Sequence, residues 1–158
     1  MNNVVINKEL MRKVRSFRNN NPLNIKRNAR NRWFGAKSNQ TDKVFEEFEG
    51  LEYGVRAALI ILKKYIDIYK LDTISAIISK WAPEGENGKA ATKNYINRVA
   101  QSMHKNPHTE HLQFSDQQTI AQLIAAMTLV ESGTSYYPVA DYQEFIINVY
   151  NKYFDYDR

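Results

Sequence analysis

From residue 51 to the end of the chain, apolar side chains return at every third or fourth position, and that spacing restricts the fold more than any other feature. Leu51, Val55, Ala58, Leu59, Leu62, Ile66 and Tyr69 form one such stripe, which an α-helix gathers onto a single face. Asp72 is placed to cap a shorter helix carrying Ile74, Ile77, Ile78 and Trp81. Pro83 must stop that helix, because proline disfavours a helical residue before it. The loop PEGENG follows, then a third helix from Ala90 to Met103, with Tyr95, Val99 and Met103 on one side and the turn KNPH at its end. Ser115 and Gln118 form a capping-box pair ahead of Ile120, Leu123, Ile124, Met127 and Val130, and Gly133 is positioned to terminate that helix. Asp141 and Glu144 repeat the device before Phe145, Ile146, Val149, Tyr150 and Tyr153. Five helices are expected.

The first fifty residues read differently. RNNNPLNIK, residues 18 to 26, is rich in asparagine and contains a proline, which is turn and loop chemistry. RWFGAK (32 to 37) and KVFEEF (43 to 48) read as short extended pieces on either side of a polar SNQTD connection, a small β-hairpin. The expected fold is therefore mainly α with a minor β element, in one domain over residues 1 to 158, with residues 1 to 15 a basic arm or helix. A chain of 158 residues with 43% hydrophobic side chains can bury one real core.

Several function classes are disfavoured at this level. No apolar run approaches the ~18 residues of a membrane span, so no membrane insertion is expected. The N-terminal MNNVVINKELMRKVRS lacks the unbroken apolar segment of a signal peptide, which predicts synthesis in the cytoplasm. There is no cysteine, hence no disulfide framework, thiol nucleophile or thiolate metal site. His104, His108 and His111 lie across a proline-containing loop and not at the i, i+4 spacing of a helical zinc motif, so they read as loop residues and no metal is expected. No phosphate-binding or dinucleotide glycine pattern is present, and Ser132 has no evident triad partners. Charge is uneven: residues 1 to 37 hold ten Lys and Arg against one Glu, and the remainder twelve against sixteen acids. Such a basic quarter attracts nucleic acid, anionic membrane or an acidic wall polymer alike, or is simply a solvated arm.

Glu131 is the sharpest candidate for chemistry. Positions 120, 124, 127 and 131 are separated by four, three and four residues, so Glu131 continues the buried face of its helix. It also lies in the last turn, where unpaired carbonyls disfavour a carboxylate. Burial and the dipole both raise its pKa, and a carboxyl kept protonated near neutrality is what a general acid requires. Fraying that turns Glu131 into water is the alternative. FEEFEGLE supplies Glu46, Glu47, Glu49 and Glu52; in a strand Glu47 and Glu49 share one face and Glu46 takes the other. Trp33, Trp81, Tyr95, Tyr136 and Tyr137 are either core or stacking platforms. The amides of NNNPLN suit a polymer's hydroxyl and acetamido groups, or serve the turn itself.

RNNNPLNIK followed by RWFG, then FEEFEGLEYGVRA, then ISKWAPEGENGKAATKNYINRVA, resembles a family of phage-associated cell-wall lysis and virion proteins with the order RNNNPxNI, FxxF, GxRA, WAPxxEN and a spaced Tyr, over roughly residues 16 to 137. VESG, residues 130 to 133, together with the NNPLNIK segment, also resembles lysozyme-like murein glycosidases of the lytic transglycosylase and glucosaminidase type, which carry a catalytic Glu in an E-S-G motif ending a helix. In those proteins the motif precedes the asparagine segment; here it follows, so the resemblance implies a circularly permuted lysozyme-like domain.

The resemblance implies a peptidoglycan-cleaving glycosidase, either a lytic transglycosylase or a lysozyme-like muramidase. Glu131 would be the general acid, and Glu47 the leading second carboxylate for a hydrolase. Asn20, Asn21 and Asn24 would hydrogen-bond saccharides, with Trp33, Tyr95 and Tyr136 lining the cleft. Arg56, Trp81 and the Glu86 and Asn87 pair would hold the loops. No cofactor is implied. The expected partners of this monomer are glycan strands, together with a cognate immunity or delivery protein, and the expected place of action is the cell wall after release by lysis, virion or secretion apparatus. A non-catalytic peptidoglycan-binding virion component and a nucleic-acid-binding module stand as the competing functions.

Overall fold

The computed structural model describes residues 8–154. Eight α-helices follow in order: α1 Lys8–Lys13, α2 Arg15–Arg18, α3 Leu51–Lys63, α4 Ile74–Trp81, α5 Glu84–Asn87, α6 Lys89–Met103, α7 Gln117–Ser132 and α8 Val139–Phe154. A π-helical turn, Lys64–Ile68, continues α3. The fold is mainly α, as expected, and the five long periodic segments are the five long helices. The first seven residues of the expected basic arm lie outside the described residues; Lys8–Lys13 of the arm is helical, and the extended Val14 separates it from α2.

The ends of the helices correct several expected caps. Thr73, not Asp72, caps α4, accepting the Ala76 N–H; Asp72 instead meets His111 Nδ1 at 2.9 Å. Asp116, not Ser115, caps α7, its carboxylate accepting the N–H and the hydroxyl of Thr119. The helix α8 starts at Val139, so Asp141 lies inside its first turn, where an anion suits the dipole. Part of the expected PEGENG loop is the short helix α5. Gly133 does end α7, at φ 71°, a conformation glycine adopts without strain.

The helix α7 is the axis of the body. It packs against α6 and α8, while α3 packs on α8 and α4 on α6. Ile120, Leu123, Ile124 and Met127 are fully buried, and each contributes roughly 1.5–3 kcal/mol. That sum exceeds the penalty, roughly several kcal/mol, of drawing one carboxylate partly out of water, so the core dictates where Glu131 sits.

The expected β-hairpin is not formed. Among the described residues there is no strand, only two isolated antiparallel bridges, Lys26 with Phe45 and Ala36 with Phe48. Residues 43 to 48 do meet 32 to 37, through Lys37 N–H to Glu47 O and Glu49 N–H to Gly35 O, but they also pair with the asparagine loop through Arg27 N–H to Val44 O and Glu46 N–H to Ile25 O. The physical reason lies in two carboxylates. Glu47 accepts the N–H groups of Thr41 and Asp42, and Asp42 accepts those of Val44 and Phe45. Side chains thus take donors that a ladder needs. Asp42 is further held by a two-pronged bond from Arg15, which keeps its carboxyl well below the usual range.

Candidate functional site

The asparagine loop is built to lie against α3 and the end of α7. Asn20 and Asn24 both have φ 52°, left-handed positions that asparagine tolerates better than most residues. Asn21 is fully buried; its amide donates to Ile25 O and Glu46 O and accepts the Ile25 N–H. Asn20 donates to Phe48 O at 3.1 Å. Both amides shape the loop, and of the two only Asn20 retains exposed surface. Gly54 of α3 lets the loop in: a Cβ there would fall 1.9 Å from Asn20 O. A second tie, between the hydroxyls of Ser16 and Ser132, fixes α2 to the last turn of α7.

Asn24 is the loop residue that reaches Glu131. Its Nδ2 donates to Glu131 O at 3.3 Å and to Oε1 at 3.4 Å, while Tyr95 of α6 donates its hydroxyl to Oε2 at 2.9 Å. Glu131 is half-buried. Burial raises its pKa above the ordinary carboxyl value, against the opposing pull of hydrogen bonds from Tyr95, Asn24 and Trp81 and of the Lys26 charge. The Tyr95 phenol is in turn pushed well up, by burial first and then by the neighbouring Glu131. Helix fraying into water is thus not what happens at this position. Three elements distant in sequence hold the carboxyl in place.

Glu131 and Tyr95 face a depression of about 270 Å³, lined also by Ala82, Asn87, Ala91 and Asn94. Asn24 and Trp81 carry the surface onward into a second hollow of about 260 Å³ with Lys26, Tyr65 and Glu86. That hollow shares Ile25, Lys26, Ile61, Tyr65 and Lys80 with a wider basin of about 790 Å³, in which Trp33 stands. The second hollow and the basin make one groove, and Asn24, which lines it, is bonded to Glu131 of the first depression. Lys26 and Glu86 meet across it at 3.2 Å, both well exposed.

Other expected site residues lie elsewhere. Glu47 is buried, with both oxygens engaged by Thr41 and Asp42. Burial alone would raise its pKa, but the hydrogen bonds from Asp42 and Thr41 outweigh that and lower it. A carboxylate so engaged is a poor nucleophile or base, and it lines none of the three hollows beside Glu131. Tyr136 is 1% exposed, stacked on Phe17 at 4.0 Å and beside Tyr142 at 4.8 Å; it belongs to the core and not to the cleft. The Arg56 guanidinium lies between the rings of Phe34 and Tyr153. Asn87 closes the turn of α5 through Pro83 O and borders the Glu131 depression.

Sequence reasoning missed Lys26, Tyr65 and Lys80. The available signal was local: Tyr65 stands off the apolar stripe that ends at Ile66 and Tyr69, one turn before Tyr69. Among the described residues no group of three His, Asp or Glu side chains could hold a metal ion, and no helix is long and apolar enough to cross a membrane.

These features define a mainly helical domain organised around a half-buried glutamic acid at a helix end, open to a surface groove. No family profile matches the chain. It is similar to Protein P5 of Pseudoalteromonas phage PM2, 40% identical over 126 residues that make up 78% of this chain and 74% of that protein. The chain belongs to the family of that phage protein.

Proposed function

We propose that the chain cleaves the β-1,4 glycan bond of peptidoglycan, as a lytic transglycosylase using Glu131 as its one acid and base. The observation that carries the reading is Glu131 itself: a carboxyl with raised pKa, oriented by Tyr95 and Asn24, beside an open groove. The lysozyme-like likeness, with its E-S-G segment, points the same way. The engagement of Glu47 by residues 41 and 42 favours a route needing one acid over a hydrolase needing a second carboxylate.

In that route the Glu131 proton passes to the bridging oxygen as the C1–O4 bond breaks. The carboxylate left behind then takes the proton of the muramic C6 hydroxyl, whose oxygen bonds to C1 and closes a 1,6-anhydro ring. Glu131 is regenerated protonated and no water is consumed. The site acts on the cell wall after delivery by lysis, virion or secretion apparatus.

Purified sacculi treated with the protein should release muropeptides with anhydro ends, read by mass spectrometry, and Glu131→Gln should abolish release while the thermal transition is kept. Unchanged release by Glu131→Gln, or binding with no release by the parent protein, would refute the proposal.

A further inference from the structure

Past Lys26 the groove opens into its wider basin, and the charges there are segregated. Four cations line it, Lys26, Arg27, Lys64 and Lys80, and no carboxylate does. Lys80 Nζ lies over the rings of Tyr65 and Tyr69 at 5.7 and 5.3 Å, and Lys64 Nζ over Tyr69 at 5.5 Å. Neither lysine has an ion-pair partner among the described residues, whereas Lys26 has Glu86. Aromatic faces hold the two ammonium groups without neutralising them. Closer to Glu131 the cations stop: no Lys or Arg lines the depression there.

We propose that this basin is a binding subsite for the acidic peptide arm of a peptide-bearing glycan strand, the strand itself lying along Glu131. The inference rests on the glycan reading above and adds the part of the substrate that the site recognises. A polymer charged at every unit, such as single-stranded nucleic acid, would carry phosphates into the Glu131 depression, where no cation offsets them. A neutral sugar backbone needs no cation there, and side arms bearing free carboxylates place negative charge only where the lysines stand. Lys64 and Lys80 select the arm by charge.

The test is binding, measured in the Glu131→Gln background so that no cleavage intervenes. The probes are soluble peptide-bearing glycan strands, the same strands after an amidase has removed the peptides, neutral chitohexaose and a single-stranded oligonucleotide. Lys64→Glu/Lys80→Glu should weaken the peptide-bearing strands by about tenfold or more, as loss of two cations and gain of two anions near a polyanion implies, and leave chitohexaose unaffected. Added salt should reproduce the loss on the peptide-bearing strands and leave chitohexaose unaffected. Should the reversal disturb folding, Lys64→Gln/Lys80→Gln must show a smaller loss of the same kind. Equal affinity for stripped and peptide-bearing strands, equal loss on chitohexaose, or tighter binding of the oligonucleotide overturns the proposal. If the binding pattern holds while the parent protein releases no muropeptide, the catalytic reading fails and the subsite stands.

Discussion

Tyr95→Phe removes one oxygen, and its effect should depend on pH in a way that reports Glu131. The hydroxyl donates to Glu131 Oε2 at 2.9 Å, from a residue only 6% exposed, so phenylalanine fills the same space. A hydrogen bond to a neutral acceptor contributes about 1 kcal/mol, and one to a charged acceptor about 1.5–3 kcal/mol. The variant should therefore lose about 1 kcal/mol while Glu131 is protonated and about 1 kcal/mol more once it is ionised, the lower end of the range because the carboxyl is only half-buried. The sign follows from linkage. Glu131 has a raised folded pKa, so folding is favoured most below its unfolded pKa of about 4.3 and weakens as pH climbs through the folded value. Removing the phenol raises that folded value further and deepens the decline. Urea unfolding of the parent, Tyr95→Phe, Glu131→Gln and the double variant at about pH 4 and about pH 8 forms a double-mutant cycle at each pH. The coupling between the two positions should be larger at the higher pH. A Tyr95→Phe loss that is the same at both, or that persists unchanged in the Glu131→Gln background, would falsify the coupling on which the candidate site rests.

Two further substitutions separate structure from chemistry. Glu47→Gln should cost roughly 1.5–3 kcal/mol, because an amide nitrogen cannot accept the bonds that Thr41 and Asp42 now donate. Its lowered pKa means that this contribution is present above about pH 4.3 and fades as pH falls toward the folded value; muropeptide release by the folded variant should persist, and its loss at intact stability would restore Glu47 as a reacting group. Gly54→Ala should lower the thermal transition strongly, by at least the roughly 1–3 kcal/mol of an overpacked core, since its Cβ would strike Asn20 O. Gly85→Ala, with nothing within 4 Å, is the control, and equal melting of the two variants would contradict the role given to Gly54.

The helical body was legible because its signal is local. Each stripe from Leu51 to Tyr153 repeats over a few turns, and the α-helix converts that spacing into one face whatever the rest of the chain does. The same counting marked Glu131 as an acid on an apolar face at the unfavourable end of a helix dipole, and burial indeed raises its pKa. The hairpin was not legible, because residues 43 to 48 lie between two partners and the carboxylates of Asp42 and Glu47 compete for the amide donors. Nor could the sequence tell Asn24 from Asn20 and Asn21. All three have the same side chain, and which of them touches Glu131 depends on a path that brings residues 107 positions apart into contact. Tyr95 and Tyr136 were equal candidates for the cleft until packing put one hydroxyl on the acid and stacked the other ring on Phe17. Periodicity determined the helices and singled out the acid; only the tertiary fold, through bonds between residues remote in the chain, decided what surrounds that acid and where the groove beside it carries its charge.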